Sequence, residues 1–186
     1  LRHSKKKYLD LIRKSQEYIR QGETYEVCLT NTASGRSDAD PWTAYRLLRR
    51  RNPAPYSAYL KLNDLCILSC SPERFLKISR NRTAESKPIK GTRGRSDDPI
   101  KDRALHDELA TSEKENAENL MIVDLVRHDL GKTAEQNSVN VPSLFAVESY
   151  QTVHQMVSTI TSTLRPDVSS SRCIQEAFPG GSMTGA

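Results

Sequence analysis

Lys90, within residues 87–93 (KPIKGTR), is a candidate amine nucleophile. A lysine amine that is held out of water can attack an electrophilic carbon, and the glycine that follows predicts an open turn. The chain contains 28 lysine and arginine residues, most of which we expect to be solvated surface charges. The residue type alone therefore does not show that Lys90 is a nucleophile. The other motifs of the chain are needed to support that role.

Glu115 and Glu118 form a candidate metal site. They lie three residues apart on a predicted helix, so both carboxylates project from one face. Carboxylate oxygens are donors that Mg²⁺ accepts, and the ion retains several water ligands. The same spacing is typical of a charged first helical turn, which the helix macrodipole favours. Two carboxylates leave a metal shell incomplete, so water, substrate or further ligands would be needed.

Glu73, within residues 69–74 (SCSPER), is a candidate general acid. It follows an apolar predicted strand at a hairpin-like break in the chain. A carboxylic acid that keeps its proton near a pocket can donate that proton to a leaving group. The alternative is a surface ion pair between Glu73 and Arg74, and the local sequence leaves both interpretations open.

Residues 150–158 (YQTVHQMVS) and 179–186 (PGGSMTGA) carry weaker signals. In a strand, His154 and Gln155 face opposite sides, so only one of them can line a given pocket. The glycine-rich segment predicts a turn that opens a helix, where exposed N–H groups can hold a carboxylate or phosphate. An ordinary flexible terminus is the alternative. The sequence has no Gly-x-Ser-x-Gly motif, so we do not predict a Ser-His-Asp triad.

The composition is that of a polar globular protein. The 186 residues are 36% hydrophobic and 27% charged, which fits one domain or a piece of a larger one. The net charge of +5 permits nucleic-acid binding, but aromatic residues make up 6% and the basic clusters are dispersed. A solvated face, or attraction for a small polyanion, explains the charge equally well.

We expect a cytoplasmic protein. No segment has the apolar length of a membrane span, and no secretory signal pattern is present. The four cysteines form no Cys-x-x-Cys pair, which indicates reduced thiols without a structural zinc site.

Periodicity and turn signals predict alternating helices and strands. We predict helices over residues 5–21, 41–52, 99–112, 112–130 and 169–178. We predict strands over residues 25–32, 56–62, 65–71, 75–79, 82–85, 139–147 and 150–162. Ser112 and Glu115 are expected to form a capping box at the start of the longest helix. Residues 91–99 are predicted to form a mobile loop.

Five segments resemble the chorismate-binding enzymes, the family of anthranilate, aminodeoxychorismate, isochorismate and salicylate synthases. They follow the family's order and extend over nearly the whole chain: residues 71–73, 88–93, 115–127, 154–158 and 178–186. The resemblance implies an α+β fold, a fragment of the anthranilate synthase component I-like fold, in which two packed antiparallel sheets have outer helices. Residues 1–186 would form a partial chorismate-binding catalytic domain whose C-terminal third is absent.

The resemblance implies a reaction for Lys90. Lysine at this position resembles the aminodeoxychorismate synthase branch, whereas anthranilate synthases usually have alanine. In that branch the lysine attacks ring carbon 2 of chorismate and expels the 4-hydroxyl, and ammonia then adds at carbon 4 and expels the lysine. Glu73 would be the general acid for the departing hydroxyl. The product, 4-amino-4-deoxychorismate, would feed 4-aminobenzoate and folate synthesis or an antibiotic precursor pathway.

The resemblance also implies ligands and partners. Glu118 would bind Mg²⁺, with Glu115 beside it, directly or through water. The residues that would contact chorismate are Gly91, Thr92, Gln155 and Ser182. Ammonia would come from a glutamine amidotransferase, as a partner subunit or a fused domain. Neither nucleic acid nor a membrane is an expected partner.

Two positions distinguish branches of the family. Gln155 stands where anthranilate and salicylate synthases tend to have histidine. Glu26 stands where isochorismate and salicylate synthases use a lysine that activates water, which argues against water as the incoming nucleophile. The alternatives are anthranilate synthase component I and, in another class, a non-catalytic binding or interaction fragment. Because the family's second glutamate pair would lie beyond this chain, we expect the chain alone to be inactive.

Overall fold

The computed structural model describes residues 1–185, which divide into two compact units. One unit contains Leu1–Leu11 and Thr30–Arg74, and the other contains Ile12–Leu29 and the chain from Phe75 onward. The helices are α1 (Lys5–Arg20), α2 (Pro41–Arg51), α3 (Pro99–Thr111), α4 (Glu113–Gly131), α5 (Ser170–Ala177) and α6 (Gly181–Thr184). The strands are β1 (Tyr56–Leu62), β2 (Leu65–Ser71), β3 (Arg74–Ile78), β4 (Thr83–Lys87), β5 (Ile89–Gly94), β6 (Asn140–Ser149) and β7 (Val153–Thr163).

The first unit contains α2 and the β1–β2 hairpin, both as predicted. Asp40 caps α2 by accepting a hydrogen bond from the Thr43 backbone N–H at 2.8 Å, and a proline occupies the first turn. The hairpin register places Leu62 opposite Leu65. Asn63, in the turn between them, has a φ of 51°, a left-handed conformation that asparagine tolerates. These elements follow from local sequence signals.

The second unit is built around β7, the central strand of a five-stranded sheet. β6 pairs along one edge of β7, from Asn140 opposite Thr161 to Ser149 opposite His154. β4 and β5 therefore share the other edge, with β5 along the N-terminal half of β7 and β4 along its C-terminal half. β3 extends the sheet beyond β4. The predicted α+β class with antiparallel sheets is confirmed.

The prediction of a mobile loop over residues 91–99 is wrong at its start, which lies in β5. Thr92 pairs opposite Gln155, and Gly94 pairs opposite Val153. The hydrogen-bond partners of this segment come from β7, far away in the sequence. A local composition rich in glycine and charge contains no information about that partner.

The predicted strand over residues 25–32 is also wrong. Val27 forms an isolated bridge to Gly185, and the Cys28 N–H donates to the Thr184 carbonyl at 3.1 Å. Val27 and Cys28 therefore pair with the end of α6, and the predicted segment does not form a strand of a sheet. The β-branched composition of the segment contains no information about this partner.

The core of the second unit lies between α4, α5 and the sheet. Its buried members are Ala84, Val123, Leu130, Ile160, Leu164 and Cys173. A polar chain crosses the packing of α4 on β7: the Phe145 N–H donates to Ser158 Oγ at 3.0 Å, and the Ser158 hydroxyl donates to Asn119 Oδ1 at 2.5 Å. These bonds fix α4 against β6 and β7, and so fix the carboxylates of its first turns.

None of the four cysteines forms a disulfide in the structure. Within residues 1–185, no helix has both the length and the apolar character needed to cross a membrane.

Candidate active site

Lys90 lies in an irregular part of β5 and is ion-paired with Glu26. The register of β5 against β7 shifts between Ile89 and Thr92, which is a β-bulge. A bulge redirects the side chains that it contains. The Lys90 Nζ lies 2.5 Å from Glu26 Oε1, and the two side chains are 16% and 20% exposed. The amine therefore faces a carboxylate in a largely enclosed position.

The end of α6 holds the backbone of Glu26. Gly185, which bridges to Val27, has a φ of 108°, in the region that favours glycine. A Cβ atom on Gly185 would lie 2.1 Å from the Glu26 carbonyl oxygen, so this approach requires glycine. The second carboxylate oxygen, Glu26 Oε2, is buried without a hydrogen-bond partner among residues 1–185. The sequence placed Glu26 in the site by resemblance but did not predict its contact with Lys90.

Gly91 brings the bulge against helices α3 and α4. Its φ is 87°, and an added Cβ would lie 2.8 Å from Leu109 Cδ1 and 3.1 Å from the Glu115 Cβ. The bulge and the first turn of α4 are therefore in close contact. Lys90 is therefore adjacent in the chain to a residue that contacts the predicted metal ligand Glu115.

Only one of the two hydrogen bonds of the predicted capping box forms at the start of α4. Ser112 Oγ accepts a hydrogen bond from the Glu115 N–H at 3.4 Å, as expected. The Glu115 carboxylate does not return to the Ser112 N–H, which donates to the Leu109 carbonyl. Instead, Glu115 Oε1 lies 3.5 Å from Arg93 Nη1. Its direction toward β5 keeps this carboxylate within the candidate site.

The two predicted metal ligands differ in burial, with Glu115 13% exposed and Glu118 32% exposed. Lys114 Nζ lies 3.6 Å from Glu118 Oε1. Two carboxylates on one helix face supply the oxygen donors that Mg²⁺ accepts. Within residues 1–185, however, no group of three or more histidine, cysteine, aspartate or glutamate side chains is arranged to hold a metal ion. The pair fits part of a magnesium shell, and its role stays a prediction.

The predicted substrate-binding residues lie on β5, β7 and α6. Thr92 is exposed, and its cross-strand neighbour Gln155 is 8% exposed. Ser182 is half-buried in α6. A Cβ on its neighbour Gly181 would lie 1.9 Å from a Leu125 side-chain carbon, so α6 rests directly on α4. Substrate binding by these residues stays a prediction.

Glu73 lies in the first unit, in the turn that follows β2. Ser71 Oγ accepts a hydrogen bond from the Glu73 N–H at 3.3 Å and donates to the Glu73 carbonyl at 3.2 Å. This turn fixes the backbone of Glu73, and the residue is half-buried. The Arg74 guanidinium lies over the Tyr56 ring at 5.3 Å. The role of Glu73 as a general acid stays a prediction.

His154 belongs to a hydrogen-bonded chain that the sequence did not predict. Its Nδ1 lies 2.8 Å from Ser149 Oγ, and its Nε2 lies 3.0 Å from Asp102 Oδ1. The Arg95 guanidinium bonds both Asp102 oxygens at 2.8 Å, and this pair, with the Ser96 N–H and His154, holds the pKa of Asp102 well below its usual range. Asp102 is therefore held in an ion pair with Arg95. The chain of hydrogen bonds connects α3 to β7 and to the residues after β5.

The fold and the order of these residues correspond to a known family. The family model described as chorismate binding enzyme matches residues 1–186. The chain belongs to the chorismate-binding enzyme family. The crystal structure of anthranilate synthase component I from Streptococcus pneumoniae is similar to this chain, with a TM-score of 0.81 and 27% identity over 99% of this chain and 40% of that one. The predicted component I-like fold is confirmed.

This member of the family is also similar to curated aminodeoxychorismate synthases. The relative from Streptomyces griseus is 58% identical over 186 residues, which are 100% of this chain and 26% of the relative. Aminodeoxychorismate synthase component 1 from Klebsiella aerogenes is 44% identical over 98% of this chain and 40% of its own length. The chain thus spans between about a quarter and two fifths of these relatives.

Proposed function

We propose that this chain is the part of an aminodeoxychorismate synthase that carries the amine nucleophile. The complete enzyme would convert chorismate to 4-amino-4-deoxychorismate. The observation that supports this most is the Lys90 amine, enclosed in a β-bulge and held at 2.5 Å by Glu26. The 58% identity to the Streptomyces griseus aminodeoxychorismate synthase supports the same branch of the family.

The chemistry divides one difficult displacement into two covalent steps. The neutral Lys90 amine forms a bond to ring carbon 2 while the bond from carbon 4 to its hydroxyl breaks. Glu73 gives that hydroxyl a proton, so that water leaves. Ammonia then forms a bond to carbon 4 as the bond between carbon 2 and Lys90 breaks. The lysine is released, and Glu73 regains its proton from solvent.

Glu118 and Glu115 would hold Mg²⁺ in the complete enzyme. The bound ion would supply positive charge for the ring carboxylate of chorismate. The contact of Gly91 with Glu115 supports this role, because it joins the first turn of α4 to the strand that carries the nucleophile. Since these two carboxylates are part of a metal shell, we also propose that the 186-residue chain alone does not turn over chorismate.

The other site residues and partners belong to the same proposal. Gly91, Thr92 and Gln155 would contact chorismate from the β5–β7 pair, and Ser182 would contact it from α6. Ammonia would come from a glutamine amidotransferase, as a subunit or a fused domain. The Klebsiella aerogenes relative is named component 1, which indicates a second component for that protein. The cytoplasm is the proposed location.

Analysis of the product tests this function. The complete enzyme, given chorismate, ammonia and Mg²⁺, is expected to form 4-amino-4-deoxychorismate. Anthranilate as the product would support the nearest alternative, anthranilate synthase component I. A folded, complete protein that binds chorismate and leaves it unchanged would support a non-catalytic binding module.

A further inference from the structure

We infer that Glu26 positions the Lys90 amine and accepts its proton. This inference rests on the proposed role of Lys90 as the nucleophile. Glu26 is the one hydrogen-bond partner of the Lys90 amine among residues 1–185. The contact is short and largely enclosed, with Nζ 2.5 Å from Oε1. A charge-assisted hydrogen bond of this kind fixes the direction of the amine as well as its position.

A nucleophilic lysine must lose a proton before it attacks. An ordinary lysine is an ammonium ion at neutral pH, and an ammonium ion has no lone pair. In the inferred step, the proton moves from Lys90 Nζ to Glu26 Oε1, which leaves a neutral amine and a neutral carboxylic acid. When Lys90 is released at the end of the reaction, the proton returns from Oε1 to Nζ. Glu26 therefore begins and ends each turnover as a carboxylate.

The second oxygen of Glu26 gives an independent reason for a role in the reaction. Oε2 is buried without a partner among the described residues. A buried acceptor without a donor is unfavourable, so the site is suited to an N–H donor that arrives with the reactants. Ammonia, which is the second nitrogen nucleophile of the proposed reaction after Lys90, is such a donor. The tight contact of Gly185 with the Glu26 carbonyl fixes the backbone that carries this carboxylate.

A second ion pair nearby shows the contrast. Lys87 Nζ lies 2.6 Å from Glu148 Oε1, and these side chains are 25% and 34% exposed. The other Glu148 oxygen accepts a hydrogen bond from the Tyr150 hydroxyl. Both Glu148 oxygens are therefore in use, as in a structural pair. Glu26 differs because one of its oxygens remains available inside the protein.

The experiment measures covalent attachment of chorismate to Lys90 without ammonia. The complete enzyme is mixed with chorismate and Mg²⁺ and quenched rapidly, and mass spectrometry follows the peptide that contains Lys90. Glu26→Gln is expected to slow attachment by about 100-fold, the loss typical when a proton-transfer group is removed. Its Kd for chorismate and its Tm should stay near those of the wild type. Glu148→Gln is the matched control and should attach at the wild-type rate.

A second variant makes the test specific for proton transfer. In Glu26→Ala, added formate should restore part of the attachment rate in a concentration-dependent way, which a merely structural role would not produce. Equal attachment rates in the wild type and Glu26→Gln would overturn the inference and leave the lysine nucleophile standing. The inference would equally be overturned if formate had no effect on a folded Glu26→Ala enzyme that binds chorismate. Absence of any adduct in the wild type would overturn both the inference and the covalent step of the proposed function.

Discussion

Gly91 and Glu115 approach so closely that a Cβ atom on Gly91 would lie 3.1 Å from the Cβ and from the Cδ of Glu115. This contact joins the bulge of β5 to the first turn of α4. The predicted nucleophile, Lys90, directly precedes Gly91 in the chain, and Glu115 is itself one of the two predicted metal ligands. A small change in the backbone at Gly91 is therefore expected to displace both Lys90 and Glu115.

Gly91→Ala is expected to destabilise the complete enzyme by about 1–3 kcal/mol, because a left-handed backbone and a crowded Cβ are both unfavourable for alanine. The φ of Gly91 is 87°, and the nearest atom to its added Cβ would be 2.8 Å away. Urea unfolding measures the change. Gly94→Ala is the control, since a Cβ there meets nothing within 4 Å. Equal stability of the two variants would contradict the close contact.

Lys90→Ala is expected to lower ammonia-dependent product formation by roughly three orders of magnitude or more, as removal of a nucleophile does. The measurement is kcat/KM of the complete enzyme, with chromatographic analysis of the product. Lys87→Ala removes a neighbouring ion-paired lysine and should retain most of the activity. Undiminished activity in Lys90→Ala would refute covalent catalysis by this residue.

Glu118→Gln is expected to raise the Mg²⁺ concentration for half-maximal activity by about tenfold or more, because affinity for a hard cation depends on the number of charged oxygen ligands. A chelator should abolish the wild-type activity, and added Mg²⁺ should restore it. Glu113→Gln is the control, since Glu113 is an acidic residue in the first turn of the same helix. A similar loss in both variants would indicate that the carboxylates act only on the helix dipole.

The depressed pKa of Asp102 predicts that the free energy of unfolding falls at acid pH. Its pKa is depressed in the folded protein, mainly by the hydrogen bonds from Arg95. Its contribution to stability is therefore present above the unfolded aspartate pKa of about 3.9 and is lost as the pH falls below that value toward the folded pKa. Unfolding free energies measured between about pH 5 and pH 3 should fall less steeply in Asp102→Asn than in the wild type.

Asp124→Asn is the control for this pH dependence. The Asp124 side chain is 78% exposed in an ion pair with Arg127 on one helix. Exposed pairs of this kind contribute little to stability. The pH profile of Asp124→Asn should therefore follow that of the wild type, and an unchanged profile in Asp102→Asn would contradict the clamp by Arg95.

Elements with strong local signals were predicted well from the sequence. The N-cap of α2, the turn at Asn63 and the capping serine of α4 are all properties of a few adjacent residues. The failures are segments whose partners lie elsewhere in the chain. Residues 91–94 pair with β7, and Val27 and Cys28 bond to the end of α6.

The candidate site divides in the same way. The resemblance of ordered motifs identified Lys90, Glu115 and Glu118 as residues of interest and assigned them to one family. It gave no indication that Asp102 and His154, which are 52 positions apart, would share a hydrogen bond. A pattern of adjacent residues specifies which groups are available, but not which of them meet.

The sequence by itself determined the family, the helices and hairpin with local start and stop signals, and the identity of the amine at position 90. The tertiary structure alone decided that this amine would meet Glu26, since the two residues are 64 positions apart. That contact depends on a bulge in β5 and on a glycine at position 185 that admits the Glu26 backbone. Both are consequences of how distant segments pack, and packing of that kind leaves no periodic pattern in the sequence.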